Sequence, residues 1–296
     1  MSQSKLFDYL RNELLEYYPT VEYLEGSYIY AVGKTPILLV AHLDTVFKKI
    51  DKITFNKTSK YYSTKSGLGA DDRAGVLMIL ESLRYGFLPS VLFCCDEEIG
   101  AIGANNFCKQ NKDLSNINIM IELDRQGYGE YVTYSCDNPE LDEYANKFGL
   151  KKNEGSFSDI SKLAPAYGIG AINISVGYID QHTKYERLYI DDFDCMTDIL
   201  FDMLENPPQT KIDYIAKKYN YYNDYYFDSN NYNYFDDNVN INMDDLIEND
   251  DIGSIDDWEY LFEYEYQNLK DVAIKAMLEY KKSANTRLLK DKDLLK

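Results

Sequence analysis

Histidine is nearly absent from this chain: 296 residues contain two, His42 and His182. Any imidazole chemistry is confined to them, and a nucleophilic triad has none to spare if both serve elsewhere. Cysteine is sparse too. Five thiols, an odd number without regular spacing, fit a reducing cytoplasm better than a secreted disulfide framework. There is no Cys-x-x-Cys pair, which argues against a thiolate zinc finger. Long apolar runs are missing, so no stretch approaches membrane-spanning length. The segment from Ser4 to Leu10 reads as a helix rather than a secretory leader. Basic residues are outnumbered, 31 against 50 acidic, giving a formal charge of −19. That balance disfavours nucleic acid and anionic membranes as partners. Two glycine motifs fail as nucleotide loops. Gly33-Lys34-Thr35 lacks the first glycine, which would stand at Tyr28, and Gly67-Leu68-Gly69 meets Asp72 where a third glycine is required. The expectation is a soluble cytoplasmic protein.

Apolar residues make up 45% of the chain, ample for a core without disulfides or a structural metal. Composition shifts at Pro207-Pro208. Before it, apolar runs bounded by turn signals alternate with helical patterns, which predicts an α/β class: a mixed, largely parallel open sheet with helices on both faces. Helices are predicted over about 4–17, 72–85, 99–110 and 191–204, with others starting at Asn138-Pro139 and Ser158. Paired strands are predicted near 21–24 and 27–32. Further strands are expected at Ile37–Ala41, Val91–Cys95, Ile117–Glu122, Tyr131–Ser135 and Ile172–Val176. After the prolines, Tyr, Asn and Asp dominate, and between Asp213 and Glu265 the only basic residues are Lys217 and Lys218. The chain therefore divides into a catalytic region (1–206), a weakly ordered acidic segment (207–257), and an amphipathic helix with a basic tail (258–296).

Open α/β sheets place functional groups beyond the carboxyl ends of their strands. His42, Glu97, Glu98, Asp124 and His182 all fall at such ends, and Asp71-Asp72 opens a helix. Neutral imidazole and carboxylate oxygen form the ligand set zinc accepts without thiolates. Asp71 suits a ligand shared by two cations, with His42 and Asp124 completing one site and Glu98 and His182 the other. Three carboxylates and one hydroxide balance two zinc ions, and such a pair polarises a carbonyl while acidifying a bridging water. Glu97 cannot comfortably point the same way as Glu98, which leaves it free as general base. Asp44, two residues from His42 on extended chain, can steady the imidazole.

Five elements carry a resemblance: Ala41-His42-Leu43-Asp44-Thr45-Val46, Gly69-Ala70-Asp71-Asp72-Arg73-Ala74-Gly75, Asp96-Glu97-Glu98-Ile99-Gly100, Glu122-Leu123-Asp124-Arg125 and His182-Thr183-Lys184-Tyr185-Glu186. In this order, over about residues 1–206, they resemble the co-catalytic zinc exopeptidases. That clan contains tripeptidase T, related zinc carboxypeptidases and aminoacylases, and di-zinc aminopeptidases. The resemblance implies Asp71 as bridging ligand, Glu97 as general base, His42, Glu98, Asp124 and His182 as the remaining ligands, and Asp44 as catalytic support. Glu186 matches a recurrent acidic position, and Gly155 to Asp159 resembles a small-residue-plus-Asp turn near the site. Asp159, Arg125 and Glu186 are candidates for substrate binding. Many relatives insert a second domain before the last histidine or a barrel after the first, and neither gap here holds a separate domain of about 50 residues.

Plainer readings stand beside these. Asp71-Asp72 also fits a helix cap, as does Asp159. Glu97-Glu98 fits a solvated strand end, and Asp124 an ion pair with Arg125. Arg73, Arg125 and Lys184 fit surface charge as well as a grip on a substrate carboxylate. The expected activity is a metal-dependent exopeptidase on short peptides, an aminopeptidase preferred because a carboxylate-gripping inserted domain is lacking. An N-acyl amino acid amidohydrolase acting on acylated amino acids, or a catalytically silent metal-binding protein, is the alternative. Two zinc ions are the expected cofactors, with cobalt or manganese fitting the same donors. The acidic tail is a possible attachment for a protein partner.

Overall fold

The computed structural model describes residues 2–217. The acidic stretch from 218 onward, the helix expected from Trp258 and the basic tail lie outside the described residues. Among the described residues, twelve strands and six α-helices follow one another. They are α1 (Gln3–Glu13), β1 (Glu22–Leu24), β2 (Tyr28–Ala31), β3 (Thr35–His42), β4 (Thr54–Asn56), β5 (Tyr61–Ser63), α2 (Ala70–Tyr85), β6 (Pro89–Cys94) and α3 (Ile102–Lys109), then β7 (Ile119–Arg125), β8 (Glu130–Val132), α4 (Pro139–Lys147), β9 (Lys151–Lys152), α5 (Ile160–Tyr167), β10 (Ala171–Ser175), β11 (Tyr178–Ile179), β12 (Arg187–Tyr189) and α6 (Ile190–Glu205).

Eight strands form the main sheet in the order β1-β2-β6-β3-β7-β10-β8-β9. Its centre, β6-β3-β7-β10, is parallel throughout. Strands buried on both faces read as continuous apolar runs, and β3 shows why. Ile37, Leu39 and Ala41 pack into the core under α1, α2, α4 and α6, while Leu38 and Val40 pack into the opposite core with α3 and α5. The predicted class, a largely parallel open sheet with helices on both faces, is the observed one.

Boundaries moved where backbone conformation overrode periodicity. The helix expected from Ile99 begins at Ile102, because Gly100 and Ala101 adopt positive φ (114° and 54°) and close a turn onto the Glu97 carbonyl. A second sheet, β11-β12-β5-β4, was not anticipated. Its strands are two or three residues long, too short for alternation to register. Residues 43–69 contribute β4 and β5, and residues 126–181 contribute β8 to β11, α4 and α5. Ordered packing also runs beyond Pro207-Pro208. Ile212 is buried and exchanges hydrogen bonds with Asn118 and Gly170 (2.9 and 2.7 Å), and the Lys217 amide donates to the Ser135 carbonyl (2.8 Å).

Candidate metal centre

The parallel strands deliver their acids to one end of the sheet. β3 ends on His42, β6 runs into the turn bearing Glu97 and Glu98, and β7 carries Asp124 near its end. Asp71 and Asp72 open α2 but have non-helical backbone angles, and the Asp71–Asp72 peptide is cis. Asp72 is the cap expected of it: its Oδ1 accepts from the Gly75 amide (3.1 Å) and its Oδ2 from the His42 amide (3.0 Å). Gly75 is obligatory there, since a Cβ would lie 2.0 Å from the Leu123 carbonyl oxygen. His182 arrives from the other sheet, in the turn between β11 and β12, itself at positive φ (60°).

Both histidines converge on Asp71, each on a different oxygen. His42 Nε2 lies 3.0 Å from Asp71 Oδ1 and 3.4 Å from Asp124 Oδ1. His182 Nε2 lies 3.0 Å from Asp71 Oδ2 and 3.0 Å from Glu98 Oε2. These are two ligand groups, His42-Asp71-Asp124 and Asp71-Glu98-His182, with one shared member. A tetrahedral zinc with bonds of 2.0–2.2 Å sets its ligand atoms about 3.4 Å apart. The observed separations and the nitrogen–oxygen donor set fit two such cations, and Glu98 Oε1 is a buried oxygen without a hydrogen bond. Asp44 ties the arrangement together. Its carboxylate faces His42 Nδ1 (3.2 Å) and accepts from the amides of Glu97 and Glu98 (3.0 and 3.1 Å), tying the ends of β3 and β6 together. Glu97 is buried and belongs to neither ligand group, yet lines the same cleft.

Crowded acids raise one another's affinity for protons. Burial pushes Glu97 up to about 8, with His42 opposing and Asp124, Asp159 and Glu98 assisting. Burial and then Asp71 bring Glu98 to about 7. Burial would also raise Asp71, but hydrogen bonds from His182 and His42 outweigh it and hold the shared carboxylate below its ordinary value. The same Asp71 contact, more than Glu98, lifts His182 to about 9.

Two of the three expected substrate contacts are corrected. Glu186 is completely buried, and its carboxylate accepts from the amides of Gly69, Ala70 (3.3 Å) and Asp71 (3.2 Å) rather than facing the cleft. Asp159 is also fully buried. It sits at the N-cap position of α5 without a side-chain capping bond, and burial raises it to about 7. Arg125 does line the cleft, but its guanidinium is engaged by Glu130 (2.8 Å) and the Glu154 carbonyl (3.2 Å). Asp124 pairs not with Arg125 but with Ser158 Oγ (2.9 Å) and Tyr178 OH (3.2 Å), while Asn173 Oδ1 accepts its amide (3.0 Å). Sequence reasoning missed these three supports. Asn173 left a trace, a lone amide inside an apolar strand, whereas Tyr178 is one of 29 tyrosines and left none.

Residues 26–169 match the pattern of peptidase family M28. The chain carries a peptidase family M28 domain. This is a co-catalytic metal peptidase family, and the domain is that of a metal-dependent exopeptidase. No curated protein matches the chain in sequence. Among solved structures, a tripeptidase from Staphylococcus aureus is 14% identical with a TM-score of 0.55, over 69% of this chain and 93% of that one. A TET aminopeptidase from a marine-sediment Thaumarchaeota archaeon is 11% identical with a TM-score of 0.54, over 70% and 92%. An aminopeptidase from the archaeon Desulfurococcus kamchatkensis is 13% identical with a TM-score of 0.51, over 69% and 90%. At these identities the likeness is one of fold.

Proposed function

We propose that the M28 domain is a two-zinc aminopeptidase that removes the first residue of short peptides. One observation carries this reading: the two oxygens of Asp71 face two different histidines, each accompanied by its own second carboxylate. His42, Asp71 and Asp124 would hold one cation, and Asp71, Glu98 and His182 the other. Bound there, the cations would polarise the scissile carbonyl and acidify water. Glu97 takes the proton of the attacking water and returns it to the departing amine, work suited to a buried carboxyl that lines the cleft and belongs to neither ligand group. Asp44 keeps the His42 ring oriented and, through the Glu97 amide, fixes the base beside it.

The preference for amino ends rests on the cleft's charge. Its cationic side chains are Arg125 and His182, and both are committed to acids of the protein. Among the described residues that leaves no lining cation for a substrate carboxylate, whereas the net acidic lining favours an α-ammonium group. A volume of about 340 Å³ lies at the small end of ligand sites, in keeping with short substrates. Half-exposed Phe157 offers an apolar wall to the first side chain.

The test is amino-acid release from tripeptides that are free, N-acetylated or C-terminally amidated, by the zinc-loaded protein and by Glu97→Gln. Free and amidated peptides should be cut, acetylated ones spared, and the variant slowed about 10²–10⁴-fold with its zinc retained. Hydrolysis confined to the acetylated series would replace this reading with a deacylase.

A further inference from the structure

Glu186 is bound to the centre without facing the cleft. Its carboxylate is completely buried, Oε2 accepting from Gly69 and Ala70 and Oε1 from Asp71. Those three amides lead into α2 and end on the shared ligand itself. Glu186 also follows His182 by four residues, closing a turn through its amide to the Thr183 carbonyl (3.1 Å) just before β12. One side chain thus joins two loops more than a hundred residues apart in sequence, each carrying a ligand of the same half-site. The two ligands that belong to the other half-site alone have separate anchors. His42 is fixed by Asp44 and by Asp72, and Asp124 by Ser158 and Tyr178.

We infer that Glu186 is a positioning residue that clasps the Asp71 loop to the His182 turn, so that its loss weakens the second cation site while sparing the first. This rests on the two-cation reading. The chemistry favours a carboxyl side chain because all three partners are donors and both of its oxygens accept from them. Glutamine in the same place turns an NH2 toward at least one N–H, whichever way its amide lies. Aspartate, one methylene shorter, cannot reach across. The plainer role would be to neutralise Arg73, a buried guanidinium on the first turn of α2 that interacts electrostatically with Glu186. That role predicts lower stability without preference between the cation sites.

The experiment titrates zinc into chelator-treated wild type, Glu186→Gln and Glu186→Asp against a chromophoric competitor, alongside thermal melts. Wild type should take two equivalents. Both variants should bind the first within about threefold of wild type and the second about 10–100-fold more weakly. Equal affinities in wild type and variants, or an equal loss at both sites with a fall in melting temperature, would overturn the clasp. Fewer than two equivalents in wild type itself would defeat the two-cation reading before any substitution is considered. Should the variants fail to fold, hydrogen exchange on chelator-treated wild type decides. The Gly69, Ala70 and Asp71 amides should be protected, and rapid exchange there overturns the inference.

Discussion

The two halves of the metal centre are built differently. Around His42, the imidazole is 1% exposed, ends a central strand, and is braced on Asp44, Asp71 and the capping Asp72. Around His182, the imidazole is 48% exposed, stands in a turn of the small sheet, and meets Asp71 and Glu98, the other members of its own candidate ligand group. Rigid, buried ligands select geometry, whereas a ligand on an exposed turn can yield. The difference makes the His42 half part of the fold and the His182 half a more exposed attachment to it.

The most severe way to erase the comparison is Asp71→Asn. An amide retains one acceptor oxygen, so both halves lose their common ligand. Turnover should vanish and zinc binding fall at both sites, measured by activity and equilibrium dialysis. Retention of two tight zinc ions would mean that the carboxylate is not shared. Next in size is the contrast between His42→Ala and His182→Ala in chelator-treated protein. Removing His42 leaves Asp44 and Asp71 facing a buried gap and should cost about 1–3 kcal/mol in denaturant unfolding. Removing the exposed ring should cost no more than about 0.5 kcal/mol. Equal losses would abolish the distinction between a structural half and an attached one.

A further contrast concerns pH. In the folded chain Glu97 titrates at about 8, Glu98, Asp159 and Glu186 at about 7, and His182 at about 9. Each value is above that of the unfolded chain, so the folded state binds more protons over this range. Stability must therefore fall as pH rises. The carboxyl groups act between about 4 and 8, and His182 between about 6.5 and 9. Asp44 and Asp71, whose affinities are lowered, act in the opposite sense only at more acidic pH. Melting temperatures of chelator-treated protein should decline from about pH 5 to 9, and zinc should flatten the decline because cations and protons compete for the same atoms. A pH-independent melt without zinc would remove the electrostatic part of the account.

How far the sequence foretold this depends on which half is considered. His42 was legible because an apolar strand five residues long runs straight into it, and Asp71-Asp72 because they precede a helical period. The acids at 97, 98 and 124 followed from the same rule, since strand ends in such sheets carry function. The His182 side was legible only as an ordered motif. Its supporting strands, β11 and β12, are too short to show a period, and the fixed position of His182 comes from pairing with residues over a hundred positions earlier. Glu186 and Asp159 looked like substrate contacts because charge is visible in a sequence and burial is not. Neighbouring Ser158 showed the converse: it was read as the start of a helix, yet its hydroxyl reaches Asp124.

Crystals grown at limiting and then saturating zinc, with anomalous diffraction at the zinc edge, test the centre most directly. Two peaks should flank Asp71, roughly 3.5–4 Å apart, and the one beside His42 should fill first. A single peak at saturation, or first occupancy beside His182, would contradict the account.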